Sequence, residues 1–365
     1  MATKMARAAV MTKIYGELEI REYPLPRVEQ GALLVRVTCC TICGSDILAW
    51  SGKKKAPFPM ILGHEIVGRI VKLGAGVVSD SGNRTLKVGD RITWTIMDNC
   101  GKCYYCRGKG LMMKCLNLKK YGHDCCDDYP HFTGGFAEYC YITPGTCVIK
   151  VPDELTDAEA APANCALATV VAGWEAADLK PFENVLIQGA GALGFYAAAL
   201  AKHYGCRRII VTDILPHRLE AIREFGATDT INTVGMKDED FVKTVRDLTG
   251  GFGVDAAMDV AIAPTIVPIG LKCLRMGGRY IEHGNTFPGA TATFDVSDIV
   301  FRCLTIRGVH NYDTRHLQWG MDFLEQTRKT FPFEKLVVGR FPLEEINQAM
   351  DLARSGKAIR VAVVP

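Results

Sequence analysis

The sequence predicts an α/β protein in two parts, a β-rich region that opens the chain and a doubly wound parallel sheet that follows it. Three observations carry this reading. Short β-branched runs punctuated by glycine and proline fill the first third. From about residue 155 strands alternate with helix-periodic stretches. A glycine-rich turn then joins a strand to a helix at 184–194. The length of 365 residues suits about two domains.

Residues 7–14 and 33–39 (LLVRVTC) read as strands, separated by the proline-rich connector EYPLPRVEQG. Glycines recur through GHEIVGRIVKLGAGVV and LKVGDRI. Glycine among short β-branched runs marks bends and close strand approaches, which suggests a barrel-like β region. From about residue 155 the pattern changes. DELTDAEAAPANCALATVVAGWEAA is Ala-rich and helix-periodic, with Thr156 and Glu159 spaced as a capping box. The strand VLIQ, helical FYAAALAKHYG, strand RRIIVTD and helical PHRLEAIREFG come next, with further strands at DAAMDV, RYIEHG and TIRGVH. This alternation is the signature of a parallel, doubly wound sheet. Beyond about 309 lie a long helical stretch, a strand LVVGRFP, a helix EEINQAMDLARSG and a strand AIRVAVV. That tail is too short to bury its own core and is expected to pack back on the first part.

The 43 basic and 40 acidic residues leave a net charge of +3 spread evenly along the chain, which argues against nucleic acid or a membrane surface as partner. The opening MATKMARAAVMTKIYG has no apolar core of signal-peptide length, and no run of about 18 apolar residues occurs, so a cytoplasmic location is expected. Fifteen cysteines, an odd number with adjacent pairs at Cys39/Cys40 and Cys125/Cys126, fit reduced thiols and metal ligands better than a disulfide scaffold.

Gly189-Ala-Gly191-Ala192-Leu193-Gly194 follows a strand and opens a helix, the setting a dinucleotide fingerprint requires. Gly189 makes the tight turn, Gly191 lets the backbone approach a pyrophosphate, and Gly194 lets helix and strand pack closely. The helix N-terminus favours the phosphate charge. Asp213 ends the next strand, where a carboxylate accepts hydrogen bonds from adenosine ribose hydroxyls and repels a 2′-phosphate. NAD is therefore favoured over NADP, although His217 and Arg218 just beyond could tolerate a phosphate. A turn needed only for packing is the plainer alternative, disfavoured by the agreement of strand, helix and acid.

Cys100, Cys103, Cys106 and Cys115, in a lobe spanning 97–118, offer four sulfurs that can close a tetrahedral structural zinc with no open position. A looser constellation comprises Cys43, the pair His64-Glu65, and Cys165. Two sulfurs and a nitrogen make one suitable catalytic zinc set with a place left for substrate. Taken singly, each is more often a buried thiol or a satisfied core histidine, and spacing alone cannot bring them together.

On CGSD (43–46), GHEIVGRIVKLGAGV (63–77), VGDRI (88–92), the four-cysteine lobe, GGFAEY (134–139), GAGALG (189–194) and Asp213, the chain resembles the medium-chain zinc-dependent alcohol and polyol dehydrogenases. The resemblance implies a GroES-like catalytic domain over 1–155, completed by 304–365, with a Rossmann NAD-binding domain over 156–303 and the cofactor and zinc between them. It implies that Cys43, His64 and Cys165 hold a catalytic zinc, with Glu65 binding it transiently. Asp46 would hold His64 in its ligating tautomer, and Ser45 would take the alcohol proton. The chemistry implied is hydride transfer between a small alcohol or carbonyl compound and NAD, with two zinc ions per chain in a homodimer or homotetramer. Two alternatives stand beside it: a redox-neutral transformation at the same site, and a non-catalytic NAD- and zinc-binding protein. Leu48 replaces the histidine that many members use to finish the proton relay, and Cys115 falls one residue later than usual, an excess a looped residue near Lys109-Gly110 could absorb. A narrower resemblance, on SGKKKAP (51–57), KKYGHD (119–124) and PANCALATVVAG (162–173), is to a subgroup associated with phosphonate metabolism. It implies an anionic substrate met by Lys53, Lys54, Lys55, Lys120 and His123. By family position, Trp50, Trp94, Ile96 and His123 approach the alcohol.

Overall fold

The computed structural model describes residues 4–55 and 57–365; Met1–Thr3 and Ala56, which fall in the opening stretch and in the lysine-rich run 51–57, lie outside the described residues. The apolar runs near the start pair as antiparallel ladders. β1 (Met5–Met11) pairs with β2 (Glu19–Pro24). β3 (Leu33–Thr41) is followed by α1 (Gly44–Trp50) and by β4 (Met60–Ile61), which returns to β1. β5 (Glu65–Leu73), β6 (Arg91–Trp94), β7 (Tyr139–Ile142) and β8 (Val148–Lys150) complete the β-rich part. β3 organises it, running antiparallel to both β5 and β7, while β5 carries β6 and β6 carries β8. Exposed Arg36 between buried Val35 and Val37 shows the period of two expected of a half-covered strand.

One continuous helical stretch after Thr156 does not form. The capping box does: Thr156 Oγ1 accepts from the Glu159 N–H at 3.3 Å and the Thr156 N–H donates to Glu159 Oε2 at 2.8 Å. α2 (Asp157–Ala160) lasts a single turn, because Pro162 has no N–H to continue the ladder and residues 161–164 tighten to 3₁₀ geometry. α3 (Ala166–Ala176) starts afresh. The break leaves Cys165 outside both helices at φ −127°, ψ −75°.

β9 (Asn184–Gln188), α4 (Ala192–His203), β10 (Arg208–Asp213), α5 (Pro216–Ala221), β11 (Asp229–Asn232) and α6 (Asp238–Leu248) follow. Then come β12 (Val254–Asp259), α7 (Val267–Cys273), β13 (Leu274–Glu282), α8 (Val296–Phe301) and β14 (Thr305–Gly308). These six strands form one parallel sheet in the order β11-β10-β9-β12-β13-β14. That is the doubly wound order, with the reversal between β9 and β12. Consecutive buried residues such as Val185, Leu186 and Ile187 show that both faces are covered.

The tail contains α9 (Thr314–Thr327), β15 (Val337–Pro342), α10 (Ile346–Arg354) and β16 (Arg360–Val364). β16 runs antiparallel to β3, with Ala362 opposite Thr41, and β15 joins β16 in parallel. The tail thus extends the β3 sheet. Two units result: one runs to Ala168 and resumes over Asp313–Pro365, the other is Thr169–Tyr312. These limits lie later in the chain than 155 and 303. The physical reason is packing: α2 and the turn 161–164 lie on β3, β5 and β6, and β14 is hydrogen-bonded to β13. Trp94, Phe132 and Phe136 anchor the core of the first unit, Phe241 and Tyr280 that of the second. Among the described residues no helix is long and apolar enough to cross a membrane.

Candidate active site

Cys43, His64, Glu65 and Cys165 converge in the first unit, with ligand atoms all within 4.8 Å of one another. Each arrives by a different route. Cys43 is the N-cap of α1, His64 and Glu65 lie at the start of β5, and Cys165 sits in the break between α2 and α3. The sulfurs of Cys43 and Cys165 are 4.0 Å apart. Four ligands about 2.3 Å from a tetrahedral zinc would be about 3.8 Å apart, so the cluster fits such an ion.

Asp46 ties two of these routes together. Its Oδ2 accepts from the Cys43 N–H at 2.8 Å, its Oδ1 accepts from the Gly63 N–H at 3.1 Å, and Oδ1 lies 3.2 Å from His64 Nδ1. Ser45 Oγ is 3.2 Å from His64 Nε2. Leu48 is buried and offers no proton acceptor.

Two residues at this centre escape a reading of the sequence. Arg360, at the start of β16, donates from Nε to Glu65 Oε2 at 2.8 Å and from Nη2 to Glu65 Oε1 at 2.9 Å, and its Nη2 lies 3.7 Å from Cys43 Sγ. Thr41 Oγ1 also donates to Glu65 Oε2. Nothing local marks Arg360, which is 295 residues from Glu65. Asn164 is the second: its Nδ2 donates to the carbonyls of His64 at 3.0 Å and Trp94 at 2.8 Å, fixing the chain beside Cys165. Its position next to Cys165 was the one available signal.

The hydrogen bond from Cys165 and the Arg360 guanidinium hold Cys43 well below the usual thiol range, while the same contact with Cys43 pushes Cys165 up; the two sulfurs share a proton. Burial opposes charge on His64, but Asp46 and Cys43 outweigh it and raise the imidazole to about 10. Burial raises Glu65 to about 7 against the pull of Arg360.

Cys100, Cys103, Cys106 and Cys115 form a second cluster, again within 4.8 Å. Cys103 and Cys106 sulfurs are 3.4 Å apart, and Cys115 Sγ accepts from the N–H groups of Cys100 and Asn117, each at 3.3 Å. The Lys102 N–H and its neighbours draw Cys100 down to about 6, whereas burial pushes Cys106 up to about 12. Between Cys103 and Cys115 the chain makes a wide, π-type turn at Tyr104–Gly108 and passes through Gly110 at φ +65°.

The nucleotide fingerprint lies in the second unit. A Cβ on Gly194 would meet Gly189 O at 2.0 Å, so helix and strand demand glycine there. A Cβ on Gly191 would meet no protein atom within 4 Å. Ala192 and Leu193 open α4. Asp213 accepts from the Ala190 N–H at 2.7 Å and the Leu215 N–H at 2.9 Å. It braces the loop itself, and each of its oxygens keeps a further lone pair. Arg218 is half-buried on α5, His217 exposed beside it.

Of the side chains expected to approach the alcohol, His123 lies beside the cluster, its ring centroid 5.6 Å from that of His64. Ile96 and Trp94 are buried in the core. Trp50 is occupied: its Nε1 donates to Gly16 O at 2.8 Å, and its ring packs edge-on to Tyr15 and beneath Arg354. Trp50 thus has packing partners on the first unit, and Trp94 belongs to its core. Lys54 and Lys120 are half-buried, Lys53 and Lys55 exposed.

The sequence pattern of the alcohol dehydrogenase GroES-like domain matches residues 29–153, and that of zinc-binding dehydrogenases matches 192–326. The chain is 30% identical to 5-exo-hydroxycamphor dehydrogenase of Pseudomonas putida, covering 98% of both chains. It is also 30% identical to L-threonine 3-dehydrogenase of Yersinia pseudotuberculosis, covering 94% of both. An alcohol dehydrogenase structure from Thermotoga maritima superposes with a TM-score of 0.94 at 31% identity, over 99% of this chain and 100% of that one.

Proposed function

The chain belongs to the medium-chain zinc-dependent alcohol dehydrogenase family, and from that premise we propose that it transfers a hydride between a small alcohol and NAD, giving the aldehyde or ketone. The reading rests above all on the convergence of Cys43, His64, Glu65 and Cys165 from separate stretches of chain. Cys43, His64 and Cys165 are the residues that would hold a catalytic zinc, and Glu65, balanced by Arg360, is within reach of it. Bound there, the ion supplies Lewis acidity toward the alcohol oxygen. Ser45 accepts the alcohol proton and, with Leu48 in place of a second relay group, passes it to water. Asp46 keeps the His64 ring in its ligating orientation. Cys100, Cys103, Cys106 and Cys115 close a structural zinc.

The second unit binds the dinucleotide, with the diphosphate over Gly191 and the α4 N-terminus and the ribose at Asp213. The carboxylate there supports NAD over NADP. The edge strand β14 and the exposed Val296, Val300 and Phe301 of α8 support a homodimer or homotetramer, which light scattering would reveal.

Elemental analysis together with an NAD reduction screen tests the proposal. Two zincs per chain and NADH formation are expected. Cys165→Ser should lower the content to one zinc and abolish turnover while NAD binding survives; turnover at the original rate would overturn the ligand assignment. Asp213→Gly should erode the preference for NAD over NADP, and an unchanged ratio would remove Asp213 from the ribose site.

A further inference from the structure

The four-cysteine lobe has no apolar core to hold it: between Cys100 and Leu118 the buried residues are Cys106 and Cys115 themselves. Its order depends on what closes the sulfur cluster. The lobe stands on two arms. Met97 and Lys120 form an antiparallel bridge, the Asp98 N–H donates to Lys119 O at 3.1 Å, and the Lys119 N–H donates to Asp98 Oδ1 at 2.7 Å. Just beyond, the Cys100 N–H donates to Cys115 Sγ at 3.3 Å, so the sulfur cluster joins the same two arms at their outer end. With the cluster open, these few bonds alone must close a long exposed loop against its conformational entropy.

The exit arm runs on to the catalytic cluster. Gly122, at φ +71°, lies so close to the chain ahead of β5 that a Cβ there would meet Gly63 O at 2.8 Å, and Gly63 directly precedes His64. Tyr121 makes a second contact. Its hydroxyl accepts from the Thr143 N–H at 3.0 Å and lies 2.8 Å from Thr146 Oγ1, while its ring packs edge-on to Trp94 with centroids 6.0 Å apart. The Trp94 carbonyl accepts from Nδ2 of Asn164, which is next to Cys165 and bonds to the His64 carbonyl as well. One arm of the lobe therefore touches the supports of two ligands that are distant in sequence. We propose that residues 119–123 make the four-cysteine lobe a positioning device for the catalytic cluster: with the lobe closed, Gly122 and Tyr121 hold the backbones of His64 and Cys165 in the arrangement that binds a metal, and an open lobe releases both. The proposal rests on the assignment of both clusters as metal sites. Such a coupling is reciprocal, so an ion at either cluster tightens the other by the same factor.

The zinc affinity of each cluster, read by competition with a chromophoric chelator, tests this without turnover; Cys165→Ser, which keeps the lobe ion alone, identifies which ion is which. Opening the lobe with Cys103→Ser/Cys106→Ser is expected to weaken zinc at the catalytic cluster about tenfold or more. Gly122→Ala and Tyr121→Phe leave all four lobe cysteines in place. Both should weaken the catalytic ion while the lobe retains its own, and Tyr104→Ala, at a position 62% exposed on the lobe surface, should change neither affinity. In Cys165→Ser the lobe ion should be held more weakly by a similar factor without being lost. If circular dichroism shows the double variant to be unfolded, Gly122→Ala and Tyr121→Phe decide the matter. Unchanged catalytic zinc affinity in both of them, or in a folded protein with its lobe open, overturns the positioning role. Two zincs per wild-type chain that bind independently would do so too and leave both metal assignments standing. A wild-type chain holding one zinc, lost in Cys165→Ser, would instead remove the lobe as a metal site, and the coupling with it.

Discussion

Arg360 and Glu65 form a pair in which neither member has access to water to compensate for losing the other: their side chains are 7% and 0% exposed. Truncating one partner of a buried ion pair costs about 3–5 kcal/mol, because the other charge is left unsolvated. Arg360→Leu is expected to lower the urea midpoint accordingly, with Arg360→Lys losing less because one of the two bonds to Glu65 can survive. Equal midpoints for wild type and Arg360→Leu would show that the pair does not support the fold. Asp46 serves Cys43, Gly63 and His64 with a single carboxylate. An amide has only one acceptor oxygen, so Asp46→Asn must give up at least one of these contacts. Zinc should then leave the catalytic cluster about 10–100-fold more readily in a chelator competition, while the four-cysteine lobe keeps its ion. Loss of both ions together would mean that the variant damages the fold rather than the site.

At the scale of elements, the turn between β9 and α4 contains two glycines that do different work. A Cβ at Gly194 would lie 2.0 Å from Gly189 O, and one at Gly191 would touch nothing. Gly194→Ala must therefore push α4 off β9, costing about 1–3 kcal/mol of stability and weakening dinucleotide binding with it. Gly191→Ala should leave thermal stability alone and weaken only the dinucleotide. Thermal melts with and without NAD distinguish the two, and a destabilised Gly191→Ala protein would contradict the view that this glycine exists for the ligand. The break after α2 is an element-scale device as well. Pro162 ends one helix a few residues before another begins, and Cys165 is presented from the gap. A continuous helix would have placed it by helical period alone.

For the molecule as a whole, the parallel sheet of the second unit carries a pH dependence. Asp259 and Glu282 are register partners at the ends of β12 and β13. Burial, and then the Glu282 charge, push Asp259 up to about 8. An unfolded aspartate titrates near about 3.9. Between those values the native state holds a proton that the unfolded state has released, so stability is highest below about pH 4 on this account and falls as pH rises toward about 8. Asp259→Asn keeps an acceptor for the Ala261 N–H and removes the titration, so its urea midpoint should change less between pH 5 and 8 than that of the wild type. Parallel curves for the two proteins would refute the linkage.

What the sequence determined by itself was whatever depends on neighbours along the chain. The glycine fingerprint, the capping box at Thr156 and the four-cysteine lobe each place their groups by local spacing, so the alternation of strands and helices and the sulfur cluster were legible in order. The return of the tail to the first part was legible too, since it has too little apolar surface to stand alone. Tertiary structure decided the rest. Pairing of β16 with β3 is what carries Arg360 to Glu65 and Cys43, a partnership no local period could indicate. The turn after α1 selects Lys54 from a run of three lysines, and the close approach of Gly122 to Gly63 brings His123 to His64. Packing likewise sets Trp50 edge-on to Tyr15 and Trp94 edge-on to Tyr121, contacts that no local spacing indicates. Spacing is encoded residue by residue, but the convergence of distant residues depends on strand register and on backbone contacts that only the packed chain supplies.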